Sequence, residues 1–202
     1  MLIGAEPIQA PELDMVRTRQ KRLGLTWIVV FIVALAGCHS KGSVVTASES
    51  KMELTSSNLQ SGQIPLAYTC DGANISPQLS WSDPPPGTES LALIVTDPDA
   101  PSGTFTHWIL FNLPASSRSL SPGVPEKDQL ADGSRQGEND FDRTGYGGPC
   151  PPHHSDHRYV FTLYALDTTL DLPVGASKKQ VDKAIKNHVL ARGELTAHYG
   201  RE

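Results

Sequence analysis

An all-β fold, a sandwich of antiparallel sheets with one C-terminal helix and few other helical segments, is what this sequence predicts. Apolar runs at 90–96 (SLALIVT), 107–114 (HWILFNLP) and 157–167 (HRYVFTLYALD) are rich in β-branched and aromatic residues and lack a clean helical period. Between them, 17 Gly and 16 Pro punctuate the 202-residue chain, which favours short strands and turns over a helical bundle. A clear helical pattern occurs once, at 177 to about 191. With 38% apolar and 19% charged residues the chain is too apolar for a disordered polymer. Its net charge of −5 argues against a phosphate-backbone binder, so nucleic acid is not an expected partner.

The N-terminal portion reads as an address. Arg17, Arg19, Lys21 and Arg22 precede the uncharged run 23–37, LGLTWIVVFIVALAG. That run is shorter than the roughly 17–25 residues a helix needs to cross a bilayer, so a removable signal fits better than a permanent anchor. It ends in Leu35-Ala36-Gly37-Cys38, which resembles the lipobox of bacterial lipoproteins and implies cleavage before Cys38 and lipid on that cysteine. Residues 1–14 are acidic and unlike a leader, which makes Met15 a candidate true start. The expected organisation is a signal peptide over 1–37, a flexible polar tether over 38–51 and one folded domain over 52–202. Export leaves Cys70 and Cys150 as an even pair in a compartment where disulfides persist. A bridge between them and two buried free thiols are both open, because spatial closeness is not written in the spacing.

The three apolar runs read as core strands covered on both faces. Residues 115–156 form a long polar, Gly-rich passage, and a passage of that length inside a compact domain is usually functional. The helix is expected to start at Ser177, which makes a capping-box pattern with Gln180, to bury Val181, Ala184, Ile185, His188 and Val189, and to stop at Gly193. Leu195, Ala197 and Tyr199 then alternate like a final strand.

Four features carry potential chemistry: the DPDAP segment at 97–101, His107, the Gly-rich loop 145–149 (GYGGP), and His157-Arg158-Tyr159. Singly each has an ordinary reading, since DPDAP is a good turn and a strand-edge histidine is commonly structural. As a series, DPDAP, HWILFN, GYGGPCPP and HRYVFTLYALD resemble the phosphatidylethanolamine-binding protein family, also called Raf kinase inhibitor-like proteins. The upstream YTCDGANISPQLSW is similar to its bacterial branch, and the likeness runs from about Met52 to the C-terminus. The resemblance implies a β-sandwich with an anion-binding pocket at one end. By position, its residues are Asp97, His107, Gly147, Gly148, Pro149, His157 and Tyr159. Phe105 stands near the place where animal members carry a Trp, and the longer C-terminal segment that closes their pocket has no assigned counterpart.

The chemistry fits an anion. Consecutive glycines let backbone amides approach an oxygen ligand, imidazoles donate once or twice according to charge, and a phenol adds a donor. Asp97 would orient a histidine or accept from an ammonium beside the anion. The expected function is therefore non-enzymatic binding of a small anionic ligand, phosphate or phosphoethanolamine-like or a phospholipid head group, by a lipid-anchored protein of the bacterial cell envelope facing the periplasm or the exterior. No cofactor and no metal are expected. Affinity should rise as pH falls through about 6.5. Two other classes compete. A module inhibiting an envelope protease would use an exposed surface and not the pocket. A metal-dependent hydrolase could draw on Asp97, Asp99, His107, His153, His154 and His157, but HExxH, nucleophile-elbow and P-loop spacings are missing.

Overall fold

A computed structural model describes residues 50–202; the expectations for the signal peptide, Met15, Cys38 and most of the tether lie outside these residues. In chain order the strands are β1 (Ser50–Lys51), β2 (Leu54–Thr55), β3 (Leu79–Trp81), β4 (Ser90–Asp97), β5 (Phe105–Pro114), β6 (Ser119–Leu120), β7 (Arg135–Gln136), β8 (Glu138–Asn139), β9 (Arg143–Thr144) and β10 (Ser155–Leu166). Helix α1 (Lys178–Ile185) and strand β11 (Val189–Arg201) follow, and a 3-10 turn lies at Leu66–Tyr68. The main sheet has the order β1-β11-β10-β4-β5-β7, and β2-β3-β6 forms a smaller sheet. Among the described residues the architecture is therefore all-β with a single C-terminal helix, although the sheet is mixed because β1 runs parallel to β11. The first two strand residues belong to the stretch expected to be tether.

The apolar runs form the centre of the main sheet because both of its faces are covered. On one face Leu91, Leu93 and Val95 of β4, Trp108 and Leu110 of β5, and Phe161 and Leu163 of β10 pack with Met52, Leu79 and Trp81 from the smaller sheet and its flank. On the other, Ala92, Ile94, Ile109 and Phe111 receive Val181 and Ile185 of α1. Alternate residues point to opposite sides of a strand, so a run buried on both sides has no polar positions to reveal its period.

Two bulges break the β4–β5 register. At one, Asn112 takes φ 58°, and its side chain both donates to the Leu170 carbonyl and accepts from the Leu170 amide. At the other, Val95 pairs with Trp108 and Thr96 with Thr106, leaving His107 as the extra residue. A bulge re-aims a side chain, and this one turns His107 toward Tyr159 on the first core face, ring centroids 5.1 Å apart.

The helix is shorter than the sequence pattern suggests. Gln180 accepts the Ser177 amide at its start as expected, but the helix ends at Ile185 because Asn187 adopts φ 70°, a left-handed terminating conformation. His188 lies beyond the helix and Val189 opens β11. Gly193 is not a stop signal; it faces Leu163 inside the β10–β11 ladder. An added Cβ there would stand 3.1 Å from the Met52 carbonyl oxygen, so a side chain would press on the passing chain.

Cys70 and Cys150 are bonded, Cα atoms 5.4 Å apart across 80 residues of sequence. Replacing both by serine is expected to lower unfolding free energy by about 2–5 kcal/mol, measured by urea titration. An unchanged midpoint would show that the bridge contributes nothing to the folded state.

Candidate functional site

The cavity opens at the end of the main sheet where β4 stops and β10 begins. It encloses about 460 Å³ and is lined by Asp97, His107 and His157, by the rings of Phe105 and Phe141, by the 100–102 turn, by Cys150 and Pro151, and by Arg201. Strand alternation delivers its polar floor. Asp97 continues the face of Leu91, Leu93 and Val95, and His157 continues that of Tyr159, Phe161 and Leu163, so both end on the same side of neighbouring strands.

There the His157 Nδ1–H donates to Asp97 Oδ2 at 2.7 Å, with both side chains more than nine-tenths buried. Asp97 Oδ1 accepts the Asp99 amide at 2.8 Å, so the carboxylate also builds the turn that follows it. Asp99 in turn accepts the Arg158 amide and two of its guanidinium nitrogens, which fastens that turn to β10. These Arg158 bonds hold the Asp99 carboxyl well below the usual range.

His107 is fixed by a reciprocal pair. Its Nδ1–H donates to the Gly147 carbonyl at 2.7 Å, while its own carbonyl accepts the Gly147 amide at 2.8 Å. A carbonyl cannot donate, so the tautomer is set. In both imidazoles Nδ1 is engaged by the protein, and both rings line the cavity. Burial pushes the His107 pKa down, with the Gly147 bond and the Asp97 charge opposing that shift.

The Gly-rich loop does a different job from the one expected. Gly147 donates to His107 and Gly148 donates to Asn74 Oδ1 at 2.8 Å, so neither amide is free to form an anion nest. The glycines permit close approach instead. A Cβ on Gly147 would lie 2.4 Å from the Phe141 ring, and one on Gly148 would lie 2.5 Å from Asn74 Oδ1 and 2.6 Å from the Tyr68 carbonyl oxygen. Pro149 accepts the Cys70 amide through its carbonyl. Gly147, Gly148 and Pro149 therefore stand behind the cavity wall, and so does Tyr159. The Tyr159 hydroxyl is buried with no hydrogen-bond partner among the described residues, and burial raises its pKa. These four residues support the lining; they do not reach into the cavity.

Phe141 and Arg201 are lining residues the sequence reading missed. Phe141 is placed by the β8–β9 hairpin, where its amide donates to Asn139 Oδ1 and Asp140 exchanges two hydrogen bonds with Thr106 of β5. Its ring meets Phe105 edge-on at 4.8 Å. Arg201 had a readable signal, since it continues by two residues the alternation of Leu195, Ala197 and Tyr199. Cys150 sets the wall covalently through its bond to Cys70. His153 and His154 are exposed and do not line the cavity; His153 Nδ1–H donates to the Glu202 carbonyl. No three His, Cys, Asp or Glu side chains among the described residues are grouped to share a metal ion.

Residues 55–200 match the family model for phosphatidylethanolamine-binding protein. The chain belongs to that family. It is 55% identical over 140 residues to a UPF0098 protein of Methanothermobacter thermautotrophicus, covering 69% of this chain and 92% of the relative. It is 40% identical over 207 residues to the UPF0098 protein PH1269 of Pyrococcus horikoshii, covering 100% and 96% respectively. Among solved structures, YbcL of Escherichia coli superposes with TM-score 0.71 at 34% identity, covering 76% of this chain and all of that one. The phosphatidylethanolamine-binding protein homologue CT736 of Chlamydia trachomatis does so with TM-score 0.68 at 39% identity and the same coverage.

Two outcomes follow from this geometry. Because the His107 pKa is lower folded than unfolded, the unfolded chain binds more protons below about 6.5, and stability should decline as pH falls through that value toward the folded pKa. Urea titrations between pH 7.5 and 5 should show this slope reduced in His107→Gln; equal slopes would contradict the assignment. Gly148→Ala should cost about 1–3 kcal/mol of stability, since both atoms it meets belong to held groups.

Proposed function

We propose that the chain is a non-enzymatic binding protein whose cavity receives a small anionic group, phosphate or phosphoethanolamine-like, and that lipid on Cys38 tethers it to a bacterial envelope membrane. The observation that carries the binding reading is the pair of fixed imidazoles. His107 and His157 arise from different strands, each has Nδ1 engaged by the protein, and each lines the same cavity. Protonated, Nε2 donates to an oxyanion; neutral with Nδ1–H fixed, it accepts from a P–O–H group. The Asp97 carboxylate beneath His157 holds the ring in its orientation. The Phe105 and Phe141 rings supply an apolar wall suited to whatever carries the anionic group.

Inorganic phosphate is the direct probe. Calorimetric titration should show binding that strengthens as pH falls below about 6.5, because buried His107 gains its proton only there. His157→Ala should weaken that binding by about tenfold or more. Phosphate affinity that is flat with pH and indifferent to His157→Ala would overturn the reading. A phosphate monoester recovered chemically unchanged after prolonged incubation fits the non-enzymatic assignment, and release of its phosphate would reject it. The tether is tested separately by mass spectrometry of the membrane fraction, where the mature N-terminus should be acylated Cys38; an unmodified peptide spanning Gly37 and Cys38 would reject that part alone.

A further inference from the structure

The cavity holds one carboxylate in its floor, and Arg201 is the only Lys or Arg among its lining residues. Arg201 is the last residue of β11, paired with Ser155 across the ladder, so its backbone is fixed at the mouth. Its side chain is about three-quarters buried. Nη2 donates to Asp71 Oδ1 at 2.8 Å and Nη1 reaches the Pro151 carbonyl oxygen at 3.4 Å. A guanidinium carries five N–H donors, so most of them have no partner among the described residues.

Asp71 is itself held in place. It follows Cys70, which is bonded to Cys150 in the cavity wall, and its Oδ2 accepts the Tyr199 hydroxyl at 2.7 Å. The Tyr199 and Arg201 bonds keep its carboxyl ionised to below the usual range. Two residues of one strand face and one residue of a cross-linked loop thus form a charge cluster at the mouth.

We propose that Arg201 is the cation that anchors the ligand's anionic group at the mouth of the cavity, and that Asp71 positions this guanidinium while weakening its field. The inference rests on the anion-binding reading. Burial holds the His107 pKa down, so that ring offers little formal charge near pH 7, and the Asp97 carboxylate opposes an incoming anion. Arg201 supplies a charge that does not titrate in the working range, and its planar donors match an oxyanion with two oxygens. Asp71, at hydrogen-bond distance from the same guanidinium, offsets part of that attraction.

Phosphate titration of the full protein at pH 7 tests this with two variants that break the same ion pair. Arg201→Gln removes the cation and should weaken phosphate binding by about tenfold. Asp71→Asn retains an oxygen acceptor, removes the negative charge and should tighten binding by about threefold. Arg201→Lys should recover most of the loss. A merely structural ion pair would move both variants in the same direction, so opposite effects support the proposal and parallel effects overturn it. Phosphate binding by the unaltered protein that Arg201→Gln leaves unchanged would overturn the Arg201 role alone. An unaltered protein that binds no phosphate at any pH removes the anion-binding reading and this one with it.

Discussion

The buried contact between Asp97 and His157 is the constraint on which the rest of the site depends. A carboxylate and an imidazole at the ends of adjacent strands can be excluded from water only if each satisfies the other, and losing one partner of such a pair typically costs about 3–5 kcal/mol. Here one carboxylate oxygen takes the ring Nδ1–H and the other takes the Asp99 amide. The same side chain therefore terminates β4, shapes the turn after it and fixes which ring nitrogen His157 presents. The Asp99–Arg158 pair repeats the connection one layer further out, where solvent reaches it.

His107 reaches the same cavity by another route. Strand alternation alone would send it to the face of Ile109 and Phe111, and the bulge between the Val95 and Thr96 pairings redirects it. Gly147 then locks it from both ends of the residue, through the ring and through the backbone. The loop that carries Gly147 is itself fastened to the segment around Tyr68 and Asn74 by the Tyr146 hydroxyl, the Gly148 amide and the Cys70–Cys150 bond. A ligand would meet a mouth that is already organised, which lowers the ordering cost of binding.

Much of the fold was legible because buried strands announce themselves in composition. The runs at 90–96, 107–114 and 157–167 lie within β4, β5 and β10 to within a residue or two, since β-branched and aromatic side chains were needed on both faces. The helix boundary was less legible. A Gly eight residues beyond Ile185 looked like the terminator, whereas Asn187 had already taken the left-handed conformation, and Gly193 answers to the passing Met52 backbone. Asp97, His107 and His157 were readable as a series of motifs. The role of Gly147 and Gly148 was not, because it is decided by Asn74 and Phe141, partners distant or separately folded in the sequence. Tyr159 shows the same limit: strand alternation placed it on the correct face, but depth along the strand put it behind the wall.

His107 and His157 each have Nδ1 bonded to the protein and a ring that lines the cavity, which leaves Nε2 as the nitrogen the binding proposal assigns to the ligand. Nitrogen-15 correlation spectra of the histidine rings, recorded with and without added phosphate, read that division atom by atom. Protonated Nδ1 is expected in both His107 and His157, with phosphate moving their Nε2 resonances and leaving those of the exposed His153 and His154 in place. An Nε2–H tautomer in either cavity ring in the absence of phosphate, or Nε2 signals that do not respond to it, would contradict the account.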